Sequence, residues 1–73
     1  MARVFVTGGT GLIGSNICEQ LVARGDEVTA LVRRKSDPSE LVALGVSIAE
    51  GDITNRESVR DAAEGCEYAI HSA

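Results

Sequence analysis

The segment Thr7-Gly8-Gly9-Thr10-Gly11-Leu12-Ile13-Gly14 constrains this chain more than any other, because it joins two stretches of different period. Before it, Arg3-Val4-Phe5-Val6-Thr7 is a β-rich apolar run, long enough for a strand and too short for a helix. After it, Ile13, Ile17 and Leu21 recur every four residues with Glu19, Gln20 and Arg24 on other faces, an amphipathic helix that Gly25 ends. A loop that turns sharply off a strand, lets a diphosphate touch its backbone and then packs a helix against a sheet needs residues without a Cβ at three places. Gly8 is expected to make the turn, Gly11 to allow the approach and Gly14 to seat the helix. Backbone N–H groups of Leu12 and Ile13 would then face the phosphates, aided by the helix dipole. A merely tight turn needs one or two glycines, and this loop has four. Two rival motifs fail on particular residues: Ser15 follows Gly14 where a phosphate loop needs lysine, and Gly14-Ser15-Asn16 lacks the frame of a nucleophile elbow.

The rest of the chain repeats the alternation. Glu27 to Val32 reads as a second strand. Asp37-Pro38-Ser39-Glu40 offers a cap, a first-turn proline and an acid three residues on, opening a short helix through Leu41, Val42 and Leu44 that Gly45 closes. Val46 to Glu50 makes a third strand. Thr54-Asn55-Arg56-Glu57 has capping-box spacing, and Val59, Ala62 and Ala63 stripe the following helix before Gly65. Tyr68 to Ser72 makes a fourth strand, in which Tyr68 is expected to be a core aromatic. Strands alternating with helices, without hairpin turns, imply right-handed crossovers and a parallel sheet in βαβαβαβ order. Residues 1–73 are expected to form a single domain.

Length and charge narrow the function classes. A chain of 73 residues holds one domain at most and on folding buries about 60% of its unfolded surface, so its core is small. No apolar run approaches the roughly 18 residues of a membrane span, and Met1 to Thr7 has no secretory signal, which together predict a cytoplasmic protein and no membrane partner. Cys18 and Cys66 are too few for a disulfide scaffold, and with His71 as the one histidine no metal site is expected. The net charge is -4, yet Arg33, Arg34 and Lys35 are consecutive. A compact basic spot on an acidic protein suits a small anionic ligand rather than a nucleic acid, for which one Tyr and one Phe give no stacking platform either.

In dinucleotide sites the end of the second strand selects the cofactor: an acid about 20 residues past the glycine loop accepts from a free ribose 2′-OH, whereas an arginine accommodates a 2′-phosphate. The position falls on Arg33, while Asp26 and Glu27 lie at the wrong end of the strand. NADP is therefore expected in preference to NAD.

Thr7 to Gly14, then Leu31-Val32-Arg33-Arg34, Gly51-Asp52-Ile53-Thr54 and Ile70-His71-Ser72-Ala73, together resemble the N-terminal part of the extended short-chain dehydrogenases/reductases. The closest likeness is to the NAD(P)-dependent epimerase/dehydratase and dihydroflavonol-reductase-like group. The resemblance implies half of a doubly wound, Rossmann-like sheet. It implies that Arg33 contacts a 2′-phosphate, that Asp52 and Ile53 read adenine, and that Ala73 lies beside the adenosine ribose. The candidate cofactor-binding residues are thus Gly8, Thr10, Gly11, Leu12, Ile13, Gly14, Arg33, Asp52, Ile53 and Ala73. It also implies hydride transfer by a Tyr with a Lys four residues later, but Ser72 is the residue four after Tyr68. The chain is therefore expected to bind nucleotide without turning it over. With a fourth strand at its very end, it is expected to be part of a longer oxidoreductase or sugar-nucleotide epimerase/dehydratase; the alternative is a stand-alone module that binds nucleotide or assembles through the open edge of that strand.

Overall fold

A computed structural model describes residues 2–8 and 11–71 of the chain. Its elements are β1 (Arg3–Thr7), α1 (Leu12–Ala23), β2 (Glu27–Val32), α2 (Ser39–Leu44), β3 (Ser47–Glu50), α3 (Arg56–Ala63) and β4 (Tyr68–His71). The strands pair in parallel in the order β3-β2-β1-β4, so the chain builds outward from β1 through β2 to β3 and then returns to place β4 on the other side of β1. Right-handed crossovers that run in opposite directions put α1 and α2 on one face and α3 on the other.

The period of two along the strands then sorts the core. Val4, Val6, Val28, Ala30 and Val32 share the face that meets Cys18 and Leu21 of α1, Leu41 of α2 and Val46 in one buried cluster. Phe5 and Leu31, one residue out of phase, are buried on the α3 side. Helix ends follow from glycine. Gly25 N–H reaches Val22 O at 2.9 Å, and the φ of 89° at Gly25 turns the chain so that the N–H of Asp26 reaches Leu21 O at 3.1 Å, giving partners to carbonyls of the last turn of α1.

Four expectations change in detail. The buried stripe of α1 is Gly14, Cys18 and Leu21, with Ile17 packed beside it; Ile13, in the first turn beyond the cover of the sheet, is 68% exposed. The cap of α3 is Asn55, whose Oδ1 accepts from Glu57 N at 3.0 Å and Ser58 N at 3.2 Å, because Thr54 is already engaged by Asp52. At α2 the Asp37 carboxylate accepts from Ser39 N at 3.0 Å and from the Ser39 hydroxyl, so the helix starts at Ser39, one residue after the proline. Tyr68 is 62% exposed and is no core residue, since β4 is an edge strand with nothing described beyond it.

Candidate functional site

At the carboxyl ends of β1 and β2, and beyond the end of β3, two adjoining cavities open. The first, about 270 Å³, is lined by Thr7, Gly8, Leu31, Val32, Arg33, Ser36, Gly51 and Ile53. The second, about 640 Å³, is walled by Arg33, Arg34, Lys35 and Ser36 on one side and by Glu50, Gly51, Asp52 and Ser58 on the other. Residues 8, 33 and 53, far apart in sequence, thus surround one space because each follows a strand of a parallel sheet.

The glycine loop divides into parts with different reasons for glycine. Gly8 turns off β1 with φ 73°, a conformation that side chains with a Cβ disfavour. Gly14 is buried in α1. Gly11 is different: its φ is −77°, and a Cβ there would meet only Gly8 O, at 3.5 Å, an ordinary contact. Neither its backbone nor its described neighbours demand a glycine. Gly11 is also the N-cap of α1, and it has no side chain to cap with. The first intrahelical bond is Ser15 N to Gly11 O, 2.9 Å, so the helix supplies no acceptor for the N–H groups of Leu12, Ile13 and Gly14. The first turn contains no acid, which leaves the positive end of the helix dipole without a carboxylate. Among the described residues, Gly11 to Gly14 form no wall of either cavity; only Thr7 and Gly8 of the loop do. Thr10 and Ala73, both candidates from sequence, lie outside the described residues.

On the opposite wall, Asp52 makes a tight turn. Its Oδ1 accepts from Thr54 N and from Thr54 Oγ1, each at 2.9 Å. Those two bonds, the backbone one first, hold the carboxyl below its ordinary range, and the Arg33 guanidinium adds to the effect. The turn anchors the loop that carries Ile53, which is 40% exposed at the edge of the first cavity. Arg33 follows β2 directly, is exposed and lines both cavities. Below the site, Thr7 and His71 are in register across β1 and β4, and a hydrogen bond joins Thr7 Oγ1 and His71 Nδ1.

Sequence reasoning missed Gly51. A Cβ on it would lie 2.7 Å from Ser58 Cβ and 2.9 Å from Leu31 Cδ1, so only a glycine lets α3 come this close to β2. The signal was present as a glycine between a strand and a capped helix, directly before the singled-out Asp52.

A family model described as the NAD dependent epimerase/dehydratase family matches residues 4–73. The chain belongs to that family. "Sterol demethylase protein B" of Methylococcus capsulatus is 48% identical over 68 residues, covering 93% of this chain and 21% of that protein. The crystal structure of vestitone reductase from alfalfa superposes with a TM-score of 0.88 at 36% identity, over 100% of this chain and 25% of that one. The protein AtPrR2 with NADP+ and (+)pinoresinol superposes with a TM-score of 0.84 at 26% identity, over 99% and 26%. The chain therefore spans about a quarter or less of the proteins to which it is similar. What it shares with the solved structures is the Rossmann-type parallel sheet.

Proposed function

We propose that this chain is the NADP(H)-binding segment of an NAD(P)-dependent oxidoreductase or sugar-nucleotide epimerase/dehydratase, and that it binds without catalysing. The observation that carries the reading is the convergence of Gly8, Arg33 and Ile53 on one cavity beside the uncapped start of α1. A dinucleotide fits this arrangement. Its diphosphate would take the open N–H groups of Leu12 and Ile13 and lie against Gly11, where the absent Cβ leaves room. Its adenosine would extend to Asp52 and Ile53, with Arg33 on a 2′-phosphate through charge-assisted bonds. Thr10 and Ala73 belong to the same proposed set. When bound, the cofactor supplies a nicotinamide that gives or takes a hydride; this chain's residues hold and orient it. The NADP+ in the similar solved structure supports NADP over NAD, as does the lack of an acid where Arg33 stands.

The two free cysteines, Cys18 and Cys66, fit a reducing compartment, and we place the protein in the cytoplasm. Among the described residues no helix is long and apolar enough to cross a membrane. A second reading, assembly through β4, is favoured by the exposed Tyr68 on that edge.

Calorimetric titration with NADP, NAD and 2′,5′-ADP, with circular dichroism on the same sample, tests the proposal. Tighter binding of NADP and 2′,5′-ADP than of NAD is the expected result. A folded chain that binds none of them would refute it, and a defined dimer in sedimentation would then favour the second reading.

A further inference from the structure

Ser36 closes the basic segment, and the function so far leaves it without a task. Its N–H donates to Arg33 O at 3.0 Å, which closes Arg33-Arg34-Lys35-Ser36 into a turn. The turn separates the four residues. Arg33 and Ser36 stand together at its base and line both cavities, whereas Arg34 and Lys35 occupy the corners and line only the second. Ser36 is half-buried, and its hydroxyl makes no hydrogen bond to another described residue, in contrast to the hydroxyls of Ser15, Ser39 and Thr54. A hydroxyl thus joins Arg33 and Gly51 on the wall that the two cavities share.

Resting on the nucleotide reading above, we infer that Ser36 is a specificity-determining residue, donating its hydroxyl proton to the 2′-phosphate of the bound nucleotide. A group attached to a ribose in the first cavity would reach the second past Arg33, Ser36 and Gly51, the residues common to both walls, of which only Arg33 and Ser36 carry polar side chains. There a guanidinium and a hydroxyl are the polar side chains that both cavities share. Arg34 and Lys35, on the corners, act on the phosphate through solvent, as charges that salt screens. Ser36 is neutral, so its share of the affinity persists when ionic strength is raised.

The test compares 2′,5′-ADP with 5′-AMP, which differ only in the 2′-phosphate, on the full chain and on Ser36→Ala, Ser36→Thr, Arg33→Ala and Arg34→Ala. Loss of a hydrogen bond to a charged group predicts that Ser36→Ala weakens 2′,5′-ADP about tenfold or more and leaves 5′-AMP unchanged. Ser36→Thr, which keeps the hydroxyl, restores the difference, and circular dichroism on each variant separates binding from folding. The loss in Ser36→Ala holds as salt is added, while that in Arg34→Ala fades. Undiminished 2′,5′-ADP binding by Ser36→Ala, or an equal loss for both ligands, overturns the role of Ser36 while Arg33→Ala still reports on the site. If the unaltered chain binds neither nucleotide, the reading on which the inference rests fails with it.

Discussion

Replacing Gly51 by Ala is the sharpest single test of how the fold sets the site. The new methyl would lie 2.7 Å from Ser58 Cβ and 2.9 Å from Leu31 Cδ1, where carbon atoms rest at about 3.5–4.0 Å, an overlap of about 1 Å with each. Leu31 Cδ1 is the far end of a flexible side chain and can turn away. Ser58 Cβ is fixed to the backbone of α3, so relief there requires the first turns of that helix to move. Overpacking of this kind costs about 1–3 kcal/mol, and the stiffness of the Ser58 contact puts this case near the middle or above. Against a total stability of roughly 4–11 kcal/mol for 73 residues, the loss is large.

The assay is urea unfolding of the chain followed by far-ultraviolet circular dichroism. Gly51→Ala is expected to lower the midpoint by about 2–3 M, taking a small-domain slope of about 1 kcal/mol per M. Ser58→Gly by itself costs about 0.5 kcal/mol of helix propensity. Combined with Gly51→Ala it removes the clashing atom, so the pair should regain about 1 kcal/mol relative to the sum of the single changes. A Gly51→Ala chain that unfolds at the original midpoint, or a double variant with no coupling, would show that α3 does not pin Gly51. Because Asp52 and Ile53 follow directly, the same substitution should weaken NADP and NAD together.

Other expectations concern separate parts of the molecule. Arg33→Ala should weaken NADP about tenfold or more while NAD changes little, and equal losses in calorimetry would remove the 2′-phosphate assignment. Gly11→Ala should keep stability within about 1 kcal/mol, since its Cβ makes only an ordinary contact, yet lose both nucleotides; retained affinity would sink the diphosphate argument. Asp37, held below its ordinary range first by the Ser39 hydroxyl and then by the Ser39 N–H, and Asp52, held down by Thr54, give stability that is complete above about pH 4 and is lost as pH falls through their lowered values. Asp37→Asn and Asp52→Asn should therefore flatten the acid limb of a plot of urea midpoint against pH, and an unchanged slope would count against both turns. Burial pushes the Cys18 thiol up, so above about pH 8.5 the unfolded chain ionises first and stability declines with rising pH. In the folded chain a thiol reagent should modify half-buried Cys66 before Cys18, and the reverse order would contradict the packing of α1.

Much of the architecture was legible because local signals agreed with one another. The limits of β1 and β2 match the apolar runs, and Gly25 and Gly45 end their helices as the left-handed position requires. The misreadings share one cause, that periodicity says which residues lie on one face and not what covers that face. Ile13 continues the stripe of α1 by spacing, but one turn from the loop there is no sheet beneath it. Tyr68 has the composition of a core residue, but its strand is at an edge. The cap of α3 shifted by one because Asp52 engages the Thr54 hydroxyl and leaves Asn55 to accept from Glu57 and Ser58, a choice made by loop geometry that a spacing rule does not see. Gly51 escaped notice for a similar reason: its requirement comes from Ser58 and Leu31, residues that only the fold brings to it.

These glycines give a way to separate what the fold needs from what a ligand needs. Gly8 is accounted for by its positive φ and Gly51 by the atoms its missing Cβ would strike, so neither requires a bound molecule to explain it. Gly11 is accounted for by neither. Its backbone is ordinary, its described surroundings have room, and as an N-cap it ranks below the Ser, Asp or Asn that would hold the open amides of α1. The same holds for Arg33 and Ser36, which face a cavity and contribute no hydrophobic contact to the core. Residues that cost the isolated fold something, or give it nothing, gather at the carboxyl end of β1 and β2. A phosphorylated nucleotide there would use all of them at once: the open amides and Gly11 for the diphosphate, Arg33 and Ser36 for the phosphate on the ribose. For that reason the substitutions that best test function in this chain are the ones expected to leave its stability nearly unchanged.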